Sequence, residues 1–128
     1  MEKRIRELFP EIEWIKDKGM QDKVVASYVD ALKTGGWEPD DMDKIPFTLL
    51  IPNCPFTYLD HVKGVTRIAK KSMDEFNAIY PAKDPKFMMD NDLLVAGALL
   101  HDVGKLVEYE KNAAGETVKS TMGKNLRH

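Results

Sequence analysis

Leu93 to Leu100 reads LLVAGALL, an unbroken apolar run that ends on His101 and Asp102. Its leucine and alanine content, nearly free of β-branched residues, favours helix over the rival reading, a buried strand. As a helix the run has no stripe for water, so it is expected to be the central helix of an α-domain. Asp90 or Asp92 can cap its start. The run is far below the roughly 20 residues that span a bilayer, so no membrane association is expected. The mixed-charge start MEKRIRELF also lacks the apolar core of a secretory signal. A single cysteine, Cys54, fits a reducing compartment, and the cytoplasm is the expected location.

The rest of the chain supplies helices to surround that run. Ile5, Leu8, Phe9, Ile12 and Ile15 recur at helical spacing, with Pro10 dividing them or opening a second piece. Asp22 can cap a helix whose buried stripe is Val24, Val25, Tyr28, Val29 and Leu32, stopped by Gly35 and Gly36. From Trp37 to Pro55 four prolines forbid a long helix, while Phe47, Leu49, Leu50 and Ile51 call for burial, so an apolar arm laid across the helices is expected. Thr57 and Asp60 have capping-box spacing, and the helix they open is expected to run to about Tyr80, before Pro81. Its apolar arc takes in Tyr58, Val62, Val65, Ile68, Ala69, Met73, Phe76, Ile79 and Tyr80, with His61 inside it. After Gly104, LVEYE and ETVKS flank Lys111 to Gly115 as a small β-hairpin, and MGKNLRH begins another helix.

These readings give one compact domain in two parts: N-terminal helices with a Pro-rich arm over 1–56, and a core over 57–128. At 128 residues and 43% apolar composition the chain can build one core without disulfides. Nineteen basic residues against 21 acidic ones leave a formal charge of -2, which gives nucleic acid no electrostatic hold.

The chemistry lies in His61, His101 and Asp102. Neutral imidazole nitrogen with carboxylate oxygen suits first-row divalent ions such as Mn, Fe, Co, Ni or Zn, whereas an all-oxygen set suits Mg or Ca. Adjacent helical residues point in different directions, so His101 and Asp102 can share an ion only near a helix end. Gly104, two residues past the pair, lets the backbone turn and leaves room there. The alternative for His61 is a core histidine satisfied by a carbonyl. For Lys105 it is a cap on the helix end. Cys54, between prolines and with no evident base, is read as packing. Asp40, Asp41 and Asp43 are read as a solvated acidic turn, since the spacing of a calcium loop is lacking.

His61 on an amphipathic helix, followed by ALLHDVGK from Ala98 to Lys105, resembles the HD superfamily of metal-dependent phosphohydrolases in its HDIG-like form. The likeness covers about 57–128. It implies an all-α, HD-domain-like helical bundle, here with a small β-hairpin after the HD motif, in which His61, His101 and Asp102 bind a divalent transition metal, with Mg as the hard-cation alternative. It also implies a further aspartate ligand downstream, yet no Asp follows Asp102, so the chain is expected to be the N-terminal part of a longer, truncated domain. Some relatives place extra histidines downstream, and His128 is the candidate for such a ligand.

The function this implies is hydrolysis of a phosphate ester or anhydride of a nucleotide or similar small molecule. Asp102 and Lys105 are the expected catalytic residues, the one orienting water and the other contacting phosphoryl oxygen. The alternative is a non-catalytic HD-like nucleotide-binding or interaction module, inactive for want of the last aspartate. Self-association through uncovered bundle surface is a further expectation.

Overall fold

The computed structural model describes residues 1–125. Helix α1 spans Glu2–Leu8, and Pro10 opens a 3-10 turn, Pro10–Trp14, where its missing N–H is harmless. Helix α2, Lys18–Gly35, is capped by Asp17, whose side chain accepts from the Gly19 N–H. Asp22 is therefore not the cap. It lies inside the first turns, held by Lys18 and Arg6. The stop falls at Gly36, in the left-handed region at φ 75°, where an L side chain would be strained.

The arm begins with a 3-10 turn, Pro39–Asp43, in which Glu38 and Asp41 form a reciprocal capping box. Asp40 binds Arg4 at 2.7 Å and Asp43 accepts from Thr57, so this acidic turn is tied into the fold by its carboxylates. Met42 and Ile45 are buried, but the tip is not: Leu50 is 91% exposed and Ile51 50%. The arm therefore covers the helices only up to Phe47. There its ends meet, with Phe47 N–H donating to the Phe56 carbonyl and Pro46 bridged to Thr57, which leaves the intervening loop projecting outward.

Helix α3 spans Tyr58–Ile79 and opens on the expected box, Thr57 accepting from Asp60 N–H and Asp60 from Thr57 N–H. Its buried residues are Tyr58, Leu59, Val62, Thr66 and Met73. Ile68, Ile79 and Tyr80 of the expected arc are exposed, while Met73 between them is buried. Thr66 is buried at no cost to its hydroxyl, which donates to the Val62 carbonyl one turn back.

Helix α4, Asn91–Leu100, is capped by Asp90. Asp92 reaches back instead, accepting from the backbone N–H groups of Lys16 and Asp17. Contrary to expectation, α4 is not buried on all sides. It packs on α2, α3 and the Pro10–Trp14 turn through Val95 and Leu99, while Leu93 is 66% exposed. Among the described residues nothing covers that outer face. Helix α2 is the more central element, packed against α1, α4 and the short helix α5, Lys105–Glu108.

Helix α5, Lys105–Glu108, is one turn, so only the last part of LVEYE is strand. The hairpin pairs β1, Tyr109–Lys111, with β2, Thr117–Lys119, antiparallel, with Tyr109 opposite Lys119. The helical turn wins over Leu106 and Val107 because Leu106 is fully buried and its carbonyl is held by Trp37 Nε1 at 2.9 Å. Helix α6, Thr121–Asn125, follows. The core joins both halves of the chain: Ile5, Phe9, Ile12 and Ile15 meet Tyr28, Tyr58, Val95, Leu99 and Leu106. Among the described residues no helix is long and apolar enough to cross a membrane.

Candidate metal centre

His61 projects from the first turn of α3, and His101 and Asp102 sit where α4 gives way to a turn before α5. The packing of α3 on α4 brings them together. His61 Nε2 lies 3.0 Å from Asp102 Oδ2 and 3.3 Å from His101 Nε2, and His101 Nε2 lies 3.1 Å from the same carboxylate oxygen. Among the described residues this is the one group of three His, Cys, Asp or Glu side chains whose donor atoms lie within 4.8 Å of one another.

The ring of His101 is oriented by its other nitrogen. Nδ1 is 2.6 Å from the Ala98 carbonyl, which can only accept, so Nδ1 carries the proton and Nε2 presents a lone pair to the centre. Two imidazole nitrogens and a carboxylate oxygen thus converge on one spot, an arrangement that a cation suits and a neutral void does not. With bonds of about 2.1 Å, neighbouring ligand atoms stand about 3.0 Å apart in an octahedron and about 3.4 Å in a tetrahedron. The three observed edges fall between these values and form one face of either polyhedron. The donor set therefore fits a divalent transition metal and leaves positions beyond the three ligands open. The side chains are only partly covered, at 29% exposure for His61, 33% for His101 and 19% for Asp102, so solvent and small molecules reach them.

Around the centre, the Phe47 ring stacks on the His61 ring at 5.0 Å and 19°. Lys105 Nζ donates to the Phe47 carbonyl at 2.5 Å and lies 5.8 Å and 5.9 Å from the Phe47 and Tyr109 ring centres. A cavity of about 500 Å³ opens between the arm at Thr48–Leu50 and the hairpin, with Asp102, Lys105, Tyr109 and Lys119 in its wall. Lys119 faces Glu108 at 3.9 Å. Lys105 forms no ion pair among the described residues, and it shares the cavity wall with the carboxylates of Asp102 and Glu108. Cys54 lies in the arm loop, its thiol 3.5 Å from the Phe56 carbonyl. His128 lies outside the described residues.

Three neighbours of the centre escaped the sequence reading. Phe47 was expected as general core cover, yet it contacts His61 and Lys105 together. Tyr28 and Tyr58 were placed on the apolar faces of their helices, with no role given to either hydroxyl. Their hydroxyls meet at 2.9 Å beneath the centre, and Tyr28 donates to the Leu99 carbonyl. Burial pushes both phenols above their ordinary range, and the Asp102 carboxylate adds to the shift in each. A buried tyrosine needs a partner for its hydroxyl, and that requirement was the available signal.

A helical domain that gathers two histidines and an aspartate at the junction of two helices defines a metal-binding α-domain with an open ligand face. The HD domain family model matches residues 58–128, over half of the chain, and the chain belongs to that family. No curated protein and no solved structure matched it. The family consists of metal-dependent hydrolases that bind divalent metals.

Proposed function

We propose that the chain is a phosphohydrolase acting on a phosphate ester or anhydride of a nucleotide or similar small molecule. One observation carries the reading: the three donor atoms converge at the edge of a cavity whose wall also holds Lys105, which is in no ion pair among the described residues. His61, His101 and Asp102 would hold the ion. When bound, a divalent ion there supplies Lewis acidity toward water and phosphoryl oxygen.

The chain's own residues do the rest. His101, with its Nδ1–H donated to the Ala98 carbonyl, stays a lone-pair donor at Nε2. Asp102 turns Oδ2 toward both imidazoles and keeps a second oxygen able to accept a proton from water and to orient that water. Lys105, positioned by the Phe47 carbonyl, uses its remaining N–H groups to bind phosphoryl oxygen and offset its negative charge. Phe47 shields one face of His61 from solvent. The cavity is of the size that takes a small phosphorylated molecule rather than a polymer.

The test is metal content by elemental analysis together with hydrolysis of an aryl phosphodiester in Mn²⁺ or Co²⁺. His101→Ala and Asp102→Ala are expected to lose metal and turnover while circular dichroism stays helical. Unchanged metal content in either variant would overturn the assignment. Metal and nucleotide binding without turnover would instead favour the non-catalytic HD-like module.

A further inference from the structure

We propose that Tyr28 and Tyr58 form a buried positioning element for the metal centre, fixing the helix that carries His61 against the helix end that carries His101 and Asp102. The inference rests on the reading of those three residues as metal ligands.

The two phenols are wholly buried, with ring centres 6.4 Å apart at 72°. Their hydroxyls form a directed chain. The Leu99 carbonyl can only accept, so Tyr28 donates its proton there, and Tyr58 in turn donates to the Tyr28 oxygen at 2.9 Å. The chain therefore runs from α3 through α2 to the last turn of α4. At one end Tyr58 lies one turn before His61, and at the other Leu99 lies two residues before His101. Among the described residues no other hydrogen bond joins the two helix ends there, apart from the contacts of His61 with His101 and Asp102 themselves.

Physical reasoning explains why apolar packing alone would not suffice here. Contacts such as Val62 and Val95 within the core are non-directional, and a helix end can slide a fraction of an ångström over them at little cost. Hydrogen bonds are directional and short-ranged, so they resist the same slide. A metal centre needs that resistance, because its ligand distances must hold to within about 0.2 Å. The link ends on the Leu99 carbonyl, in the turn of helix that leads into His101 and Asp102.

The directed chain makes the two hydroxyls unequal. Tyr28→Phe leaves the Leu99 carbonyl and the Tyr58 hydroxyl both without their partner. Tyr58→Phe leaves the bond from Tyr28 to Leu99 standing. The experiment uses the full chain, with Co²⁺ and Mn²⁺ affinities by titration calorimetry, the visible spectrum of the Co²⁺ form, and thermal unfolding without metal. Tyr28→Phe is expected to weaken both metals about 10- to 100-fold, the usual cost of losing a residue that orients a ligand, and to change the Co²⁺ band positions. Tyr58→Phe is expected to weaken them less, and the double variant to match Tyr28→Phe because the chain is already broken.

Wild-type affinity and an unchanged Co²⁺ spectrum in both variants, whatever happens to the melting temperature, would reduce the pair to packing and overturn the proposal. Should Tyr28→Phe fail to fold, Tyr58→Phe decides by the same readouts. A wild-type chain that takes up neither metal would overturn the ligand reading and this proposal with it, an outcome distinct from failure of the tyrosine link alone.

Discussion

Lys105 shows how much of the site depends on where one charge is held. Its ammonium sits against two aromatic rings and a single carbonyl, in no ion pair among the described residues. An amine so placed keeps N–H groups for an anion, and a charge-assisted hydrogen bond is worth about 1.5–3 kcal/mol. Lys105→Met keeps the aliphatic stem against Phe47 and Tyr109 and removes the charge. The expected result is a KM for an aryl phosphate ester raised about 10- to 100-fold with metal content unchanged, read by steady-state kinetics and elemental analysis. Equal kinetics would leave Lys105 as a tie between α5 and the Phe47 carbonyl, with no part in substrate binding. At the same scale, imidazole ligates only when neutral, so acidification is expected to release the metal as protons compete for His61 and His101.

At the scale of elements, the site depends on short segments locked by backbone contacts. The end of α2 comes so close to α5 that a Cβ at Gly35 would stand 1.9 Å from the Leu106 carbonyl oxygen. That same oxygen accepts from Trp37 Nε1, so neither partner can retreat freely. Gly35→Ala is expected to destabilise the fold by about 1–3 kcal/mol, the range for overpacking a filled space, as measured by urea denaturation. Because α5 begins at Lys105, the same substitution is expected to disturb the cavity wall before it disturbs the ligands on α3 and α4. A Gly35→Ala chain as stable as wild type would mean that the two elements part easily. The capping box at Thr57 acts at the other end of the problem: it sets where α3 starts and so puts His61 in the first turn, facing α4.

Across the whole molecule, the tyrosine pair makes stability depend on alkaline pH. Both phenols are raised above their ordinary value of 10.0, chiefly by burial, so the folded state holds their protons more tightly than the unfolded chain does. Their contribution is fully present below pH 10.0 and is lost as the pH climbs beyond it, because the unfolded state then gains by ionising. Phenolate absorbance of Tyr28 and Tyr58 is expected to develop together with loss of the helical circular dichroism signal. Variants with Phe at both positions should lack that coupled step. Ionisation of all four tyrosines well before unfolding would contradict the buried pair.

Local chemistry was legible from the sequence wherever one residue type has one use. Pro10 opens a turn, the Gly35 and Gly36 pair ends α2 and Thr57 with Asp60 opens α3, since each depends on groups only a few residues apart; aspartate has several uses, and only the structure chose Asp90 over Asp92 and Asp17 over Asp22 as caps. The donor types of His61, His101 and Asp102, and hence the class of metal they suit, were legible for the same reason. Tertiary structure decided the rest. Apolarity measures how a residue partitions from water, not which neighbour covers it, so LLVAGALL could not reveal that Leu93 stays exposed while Leu99 is buried. The stretch from Lys105 to Glu108 became a helical turn because distant Trp37 holds Leu106, a contact that no local pattern encodes. The meeting of the two imidazoles is of the same kind. Their separation of 3.3 Å is set by how α3 lies on α4, and helix packing is a property of surfaces brought together from remote parts of the chain.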